Sequence, residues 1–220
     1  MPRDQVNLAQ NLIIGRLSKA CILTKRLDEE LLDAKSLADF AHSRPLGLAP
    51  GYSEHGRLVA LAISDDENCL VIKFKSARAK SRSGSACPAA LLDSVLCRPA
   101  GDIFAFDMGP LALSLYSSLQ LQITNAVDIQ SAFPMNSRTP LTAITEIAGA
   151  SNRVDVQAVE DAFRDLIFRD KNYIDLATRA WVSQILATYE DGPKLLGDVP
   201  RINIKNIADE VTFRSRCPAM

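Results

Sequence analysis

Residues 103–130 run IFAFDMGPLALSLYSSLQLQITNAVDIQ, two short apolar segments on either side of a longer one. Asp102–Phe106 predicts a strand and Pro110–Leu119 a helix. Asn125–Asp128 predicts a second short strand that runs into a helix near Ile129. The uncharged run Met108–Val127 has the length of a membrane span, but Pro110 and several Ser, Gln, Thr and Asn residues break it. The best continuous apolar run, Leu58–Ile63, is only strand-sized, so no membrane partner is expected.

Upstream, Pro88–Leu96 (PAALLDSVL) predicts a short helix with proline in its first turn. Arg57–Ile63 (RLVALAI) and Cys69–Phe74 (CLVIKF) flank the acidic turn Ser64–Asn68 and predict an antiparallel hairpin. Leu46–Ala49 is a shorter strand candidate, and Ala20–Thr24 another. Asp28–Ala41 (DEELLDAKSLADFA) predicts an amphipathic helix, with acids in its first turn and Pro45 beyond its end. Val6, Leu8, Leu12, Ile13 and Leu17 form a helical stripe over 4–17, which either docks on the domain or meets a partner.

Downstream, helices are expected over 142–148, 154–169 and 173–189. Val156, Val159, Phe163 and Ile167 would face the core from one of them, and Ile174, Ala177, Trp181 and Ile185 from another. The expected organisation is a helical extension over 1–19, one domain over 20–189 and a largely irregular tail over 190–220. The expected class is α/β, a mixed central sheet with helices on both faces.

The chain has 220 residues, 47% apolar and 23% charged, with 25 Lys+Arg against 26 Asp+Glu. That is room for one real core, and the net charge of −1 supplies no global field for anionic polymers. Cys21, Cys69, Cys87, Cys97 and Cys217 are irregularly spaced and His42 and His55 are isolated, so no zinc motif forms. Reduced cysteines and a polar N-terminal segment beginning Arg3-Asp4 predict an intracellular protein, cytoplasmic or nuclear. Walker and dinucleotide-binding glycine patterns are absent.

The order of elements over about 20–189 resembles the ribonuclease D-like 3′–5′ exonuclease domain of the DEDD superfamily, a ribonuclease H-like fold. Gly56–Ile63 (GRLVALAI) is similar to the family's second strand, and Leu70-Val71-Ile72 to the strand after it. Residues 103–130 resemble the family's strand, helix and loop, ending at Val127-Asp128-Ile129-Gln130 where the family has a hydrophobic residue followed by Asp-x-Gln. Tyr173–Tyr189 stands where the family carries its last catalytic helix.

In that family four carboxylates hold two divalent metals, Mg²⁺ or Mn²⁺; one activates water and the other steadies the leaving 3′-oxygen. Carried onto this chain, the Asp-x-Glu of the first strand becomes Ala49 and Gly51. The second Asp becomes Leu111, or Pro110 with a one-residue shift. The last Asp becomes Arg179, with Asp175 at the position of the water-orienting Tyr. The resemblance therefore implies a pseudoenzyme with no metal cofactor, a scaffold for RNA or for a protein partner. An arginine in place of a metal ligand would repel the cation and could itself take a phosphate or carboxylate.

Two other readings stand beside it. Glu54, Asp107, Asp128 and Asp175 could converge as displaced ligands of an active Mg²⁺- or Mn²⁺-dependent exonuclease, although Asp128 and Asp107 are more simply helix caps. An unrelated α/β adaptor is the third. Lys73, Lys75, Arg78, Lys80 and Arg82 form a basic segment without an intervening acid, either a phosphate-contacting arm or a solvated insertion. The candidate contacts to single-stranded RNA or DNA are these five residues and Arg179; the oligomeric state is left open.

Overall fold

Two nearly continuous apolar segments, LVALAIS and NCLVIK, make the centre of the sheet, because strands covered on both faces need apolar side chains on both. In the computed structural model, which describes residues 4–6, 12–14, 22–75, 88–149 and 153–204, they are β5 (Leu58–Ser64) and β6 (Asn68–Lys73). The other strands are β1 (Asp4–Val6), β2 (Ile13–Ile14), β3 (Ile22–Asp28), β4 (Leu46–Tyr52), β7 (Ile103–Ala105), β8 (Ala126–Asp128) and β9 (Arg153–Val154). The helices are α1 (Ala34–Leu37), α2 (Pro88–Leu96), α3 (Met108–Leu119), α4 (Pro140–Ala148), α5 (Val156–Arg164), α6 (Tyr173–Thr188) and α7 (Gly192–Gly197).

Seven strands form one mixed sheet in the order β1-β3-β6-β5-β4-β7-β8. β3 runs parallel to β6, and β4, β7 and β8 run parallel to one another; β1, β5 and their neighbours pair antiparallel. Each face carries its own core. One joins Ile144, Val159 and Trp181 to Ala49, Ala60 and Val71. The other joins Leu92, Leu96, Leu111 and Leu115 to Leu46, Leu61 and Ile72. The α/β class with helices on both faces, as expected, is what the chain adopts.

β4 reads LGLAPGY and is buried almost throughout, although Gly and Pro are poor strand formers. Its small residues are there for α6. A Cβ at Gly47 would stand 1.9 Å from the Ala180 carbonyl oxygen and 2.6 Å from the Gln184 nitrogen, so only glycine admits the helix backbone at this distance. α6 is accordingly buried on nearly all sides, from Leu176 through Gln184. Pro50 costs no ladder bond. The Leu46 N–H donates to Asp102 O on the β7 side. By the two-residue repeat the Pro50 nitrogen faces that same side, beyond the last β4–β7 pair, Gly47–Phe104.

Several elements differ from the sequence reading. The helix expected over 4–17 is not formed where the chain is described: Asp4–Val6 pairs with β3 and Ile13–Ile14 with β9. The helix expected over 28–41 is three short pieces, because β3 extends to Asp28 and Asp33 caps a new turn by accepting the Ser36 N–H at 2.7 Å. The helix expected over 154–169 stops at Arg164. Beyond it the Tyr52 N–H donates to Leu166 O and the Phe168 N–H to Tyr52 O, drawing 166–168 out along β4. Val156, assigned to the core stripe, is 50% exposed. Packing also continues past residue 189: Leu196, Val199 and Ile204 are buried, and Ile202 exchanges backbone hydrogen bonds with Ala126.

Gly47→Ala is expected to lower stability by about 2 kcal/mol or more, since backbone and not a flexible side chain occupies the space. A urea midpoint unchanged from wild type would contradict this account of the β4–α6 contact.

Candidate functional site

β4 and β7 are parallel and paired only through Leu46–Ile103 and Gly47–Phe104. Beyond that point they part, and a cleft of about 290 Å³ opens at their carboxyl ends. This is where open α/β sheets ordinarily place a ligand. Leu48, Ala49, Pro50 and Tyr52 form one wall. Phe106, Asp107 and Pro110 come from the β7–α3 corner, Pro140 from α4, Phe163 and Leu166 from α5 and the segment after it, and Arg179 from α6. Phe106 and Phe163 meet edge to face, their centroids 4.8 Å apart at 73°.

The corner is held in an unusual backbone state. Asp107 lies at φ 53, in the left-handed region uncommon for residues other than glycine. Its N–H donates to Gln130 Oε1 at 3.2 Å, and Gln130 Nε2 donates to Arg138 O at 2.9 Å. The glutamine of the Val127-Asp128-Ile129-Gln130 ending thus ties the corner to the start of α4. Asp107 occupies the N-cap position of α3, but its side chain makes no cap hydrogen bond, contrary to the capping role expected for it. Asp128 does cap, accepting the Gln130 N–H at 3.0 Å. Tyr52 accepts a long hydrogen bond from Ser114 Oγ at 3.5 Å, and burial raises its phenol pKa, with the Asp107 charge adding to the rise.

Arg179 is the one strongly charged group buried in the cleft lining, only 3% exposed. Its Nη1 donates to Asp165 O at 3.3 Å, and Nε has no partner. Burial pushes its pKa down to about 10, against the opposing pull of Asp175 and Asp165, so it remains a cation at neutral pH. Asp165 is itself engaged by Arg169 at 2.7 Å.

The acid positions carried over from the exonuclease resemblance fall as follows. Ala49, Pro110 and Arg179 line the cleft together. Leu111 does not: it is fully buried in the core on the other face, so Pro110 is the cleft residue of that pair. Gly51 sits behind Phe168, whose Cβ would be 2.8 Å from a Cβ at residue 51. These side chains do not fit a pair of divalent cations, which need several anionic oxygens; they offer two apolar groups, a hydrogen and a guanidinium. Among the described residues, no three His, Cys, Asp or Glu side chains converge closely enough to hold a metal ion.

The basic segment is described only at its start. Lys73 pairs with Asp170 at 3.0 Å, an acid shared with Arg26 at 2.7 Å, and Lys75 pairs with Glu30. Arg78, Lys80 and Arg82 lie outside the described residues. Strand register relates this segment to the cleft: Gly51 pairs with Ala60 and Ala60 with Lys73, so Lys73 leaves the sheet two strands, roughly 10 Å, from Gly51. The aromatic and proline walls were not anticipated from sequence. Their residues come from β4, the β7–α3 corner, α4 and α5, and no local pattern joins them.

No protein-family model matches the chain, and no curated protein matches it. Solved structures do. Escherichia coli RNase D, an exoribonuclease involved in structured RNA processing, superposes with a TM-score of 0.51 at 13% identity over 74% of this chain and 41% of its own. Trypanosoma brucei RNase D superposes with a TM-score of 0.53 at 16% identity over 80% of this chain and 66% of its own. The chain therefore spans less than two thirds of either, and the likeness is one of fold: a 3′–5′ exonuclease-like domain of the RNase D type, as the sequence resemblance implied. No helix among the described residues is long and apolar enough to cross a membrane.

One electrostatic consequence is testable at the corner. Burial raises the Asp128 carboxyl above its ordinary pKa and the Asp107 charge adds to this, outweighing the Gln130 N–H. The native state therefore holds the proton more readily than the unfolded chain, and stability from this residue falls as pH rises from about 4 through the folded pKa. Asp128→Asn keeps the cap and has no charge to bury. Its urea midpoint relative to wild type should be higher at pH 7 than at pH 3.5; an equal difference at both would refute the assignment.

Proposed function

We propose that this chain is a noncatalytic 3′–5′ exonuclease-like module that binds single-stranded nucleic acid, RNA in the first place, without Mg²⁺ or Mn²⁺. One observation carries the reading: in an RNase D-type fold, the cleft at the ends of β4 and β7 presents Arg179 where the resemblance places a metal-ligating acid. A buried guanidinium repels divalent cations and attracts the phosphate oxygens that such cations otherwise neutralise. Ala49 and Pro110 add no negative charge to oppose an incoming polyanion. Lys73 ends β6 at the same end of the sheet, and the basic residues that follow it in sequence would supply a sequence-indifferent contact to the backbone. The free thiols Cys69 and Cys97 suit a reducing compartment, which supports the intracellular setting.

The test is a labelled single-stranded RNA, and the matching DNA, incubated with the whole chain and with Mg²⁺ or Mn²⁺. A salt-sensitive gel shift without shortening of the strand is expected. Neutralising Lys75, Arg78, Lys80 and Arg82 together should weaken it and flatten the slope of log affinity against log salt by about 2 to 3. Metal-dependent shortening from the 3′ end would replace this reading with the active enzyme. Neither shift nor shortening would leave the protein-partner scaffold.

A further inference from the structure

Arg179 poses a physical problem that the fold does not solve internally. A guanidinium has five donors, and this one, almost wholly buried, makes a single hydrogen bond among the described residues, at 3.3 Å to a backbone oxygen. Nε has no partner, and no ion pair joins the side chain to a carboxylate. Asp165, taken by Arg169, and Asp175, one turn earlier on α6 and exposed, both attract the guanidinium, but neither carboxylate forms an ion pair with it among the described residues. A buried cation so thinly hydrogen-bonded is costly to the fold, and a bound anion would offset that cost.

Resting on the nucleic-acid reading above, we propose that the cleft is a metal-independent phosphate site: Arg179 directly holds the phosphate of one nucleotide unit, and the base lies against Phe106, Phe163, Pro110 and Pro140. Planar guanidinium forks match phosphate oxygens in a bidentate pair. The volume of about 290 Å³ sits at the lower end of small-molecule sites, room for one such unit and not for a duplex. The walls are mostly apolar, as a base requires. Tyr52 and Asp107, in the same cleft, offer a hydroxyl and a carboxylate to the sugar hydroxyls. Past Pro140 and Phe163, which both depressions share, a shallower groove of about 410 Å³ continues towards Arg164. A strand whose last unit fills the cleft can leave along it, and a free nucleotide fills the cleft alone.

The two sources are separated by titrating the full chain, in EDTA, with uridine monophosphate, with uridine and with a single-stranded RNA. Uridine monophosphate should bind, and uridine should bind on the order of tenfold more weakly. Arg179→Met should lose on the order of tenfold or more in affinity for the monophosphate, and Arg179→Lys should recover part of it. Leu166→Trp, which fills the cleft and retains the arginine, should also abolish binding. Should Arg179→Met fail to fold, Leu166→Trp decides alone. Wild-type affinity in the variants, or binding that requires Mg²⁺, overturns the site. An RNA shift with no monophosphate binding overturns the site and leaves the module reading standing. Arg179-dependent monophosphate binding with no RNA shift supports the site as one for free nucleotides and counts against the nucleic-acid module.

Discussion

The seating of α6 on the bare face of β4 is the constraint from which the rest of the molecule follows. Gly47, Ala49 and Gly51 alternate along one side of the strand, and at Gly47 the helix backbone lies where an ordinary side chain would stand. That contact buries Trp181 and nearly every residue of the helix up to Gln184. It also fixes where Arg179 emerges, at the base of the cleft rather than at the surface. A bulkier stripe would lift the helix, and the lifted arginine would reach water.

The same geometry gives the cleft its polarity. A nuclease-type fold focuses negative side chains at this point to collect cations. Here Asp128 caps a turn and Asp165 holds the Ile167 N–H and Arg169, which leaves the exposed Asp107 as the carboxylate of the cleft lining. What remains at the centre is one positive charge among rings of phenylalanine and proline. The fold is therefore similar to that of RNase D while the buried charge in this cleft is a cation, and the two facts are independent because architecture does not dictate chemistry.

Elements carried by short-range pattern were legible in the sequence. The β5–β6 hairpin, α2 and α6 follow from apolar runs and helical spacing, and residues 103–130 followed the expected strand, helix and strand within two residues at each end. Elements decided by tertiary contact were not. LGLAPGY looks like a poor strand until α6 is placed on it, and 166–168 looks helical until Tyr52 takes its hydrogen bonds. Asp33 falls inside the helix expected over 28–41 and is instead a cap that restarts the chain. In the site, Ala49 and Arg179 were legible because the resemblance supplied a register; Pro110 entered only as the shifted alternative. Tyr52, Phe106 and Phe163 were not, since separate segments bring them together. Lys73 and Lys75 read as free charges, yet both are tethered to acids distant in sequence.

Phe168 has a further consequence. Its Cβ stands where a side chain on residue 51 would have to go, only 2.8 Å from that side chain's first carbon. A carboxylate could be written into residue 49 by one codon's change, because that position opens on the cleft. Position 51 admits none until the backbone around Phe168 shifts, and that residue belongs to the segment hydrogen-bonded to Tyr52. Acids at both 49 and 51 therefore require the 166–168 segment to move first, a step that costs packing before any ligand oxygen is gained.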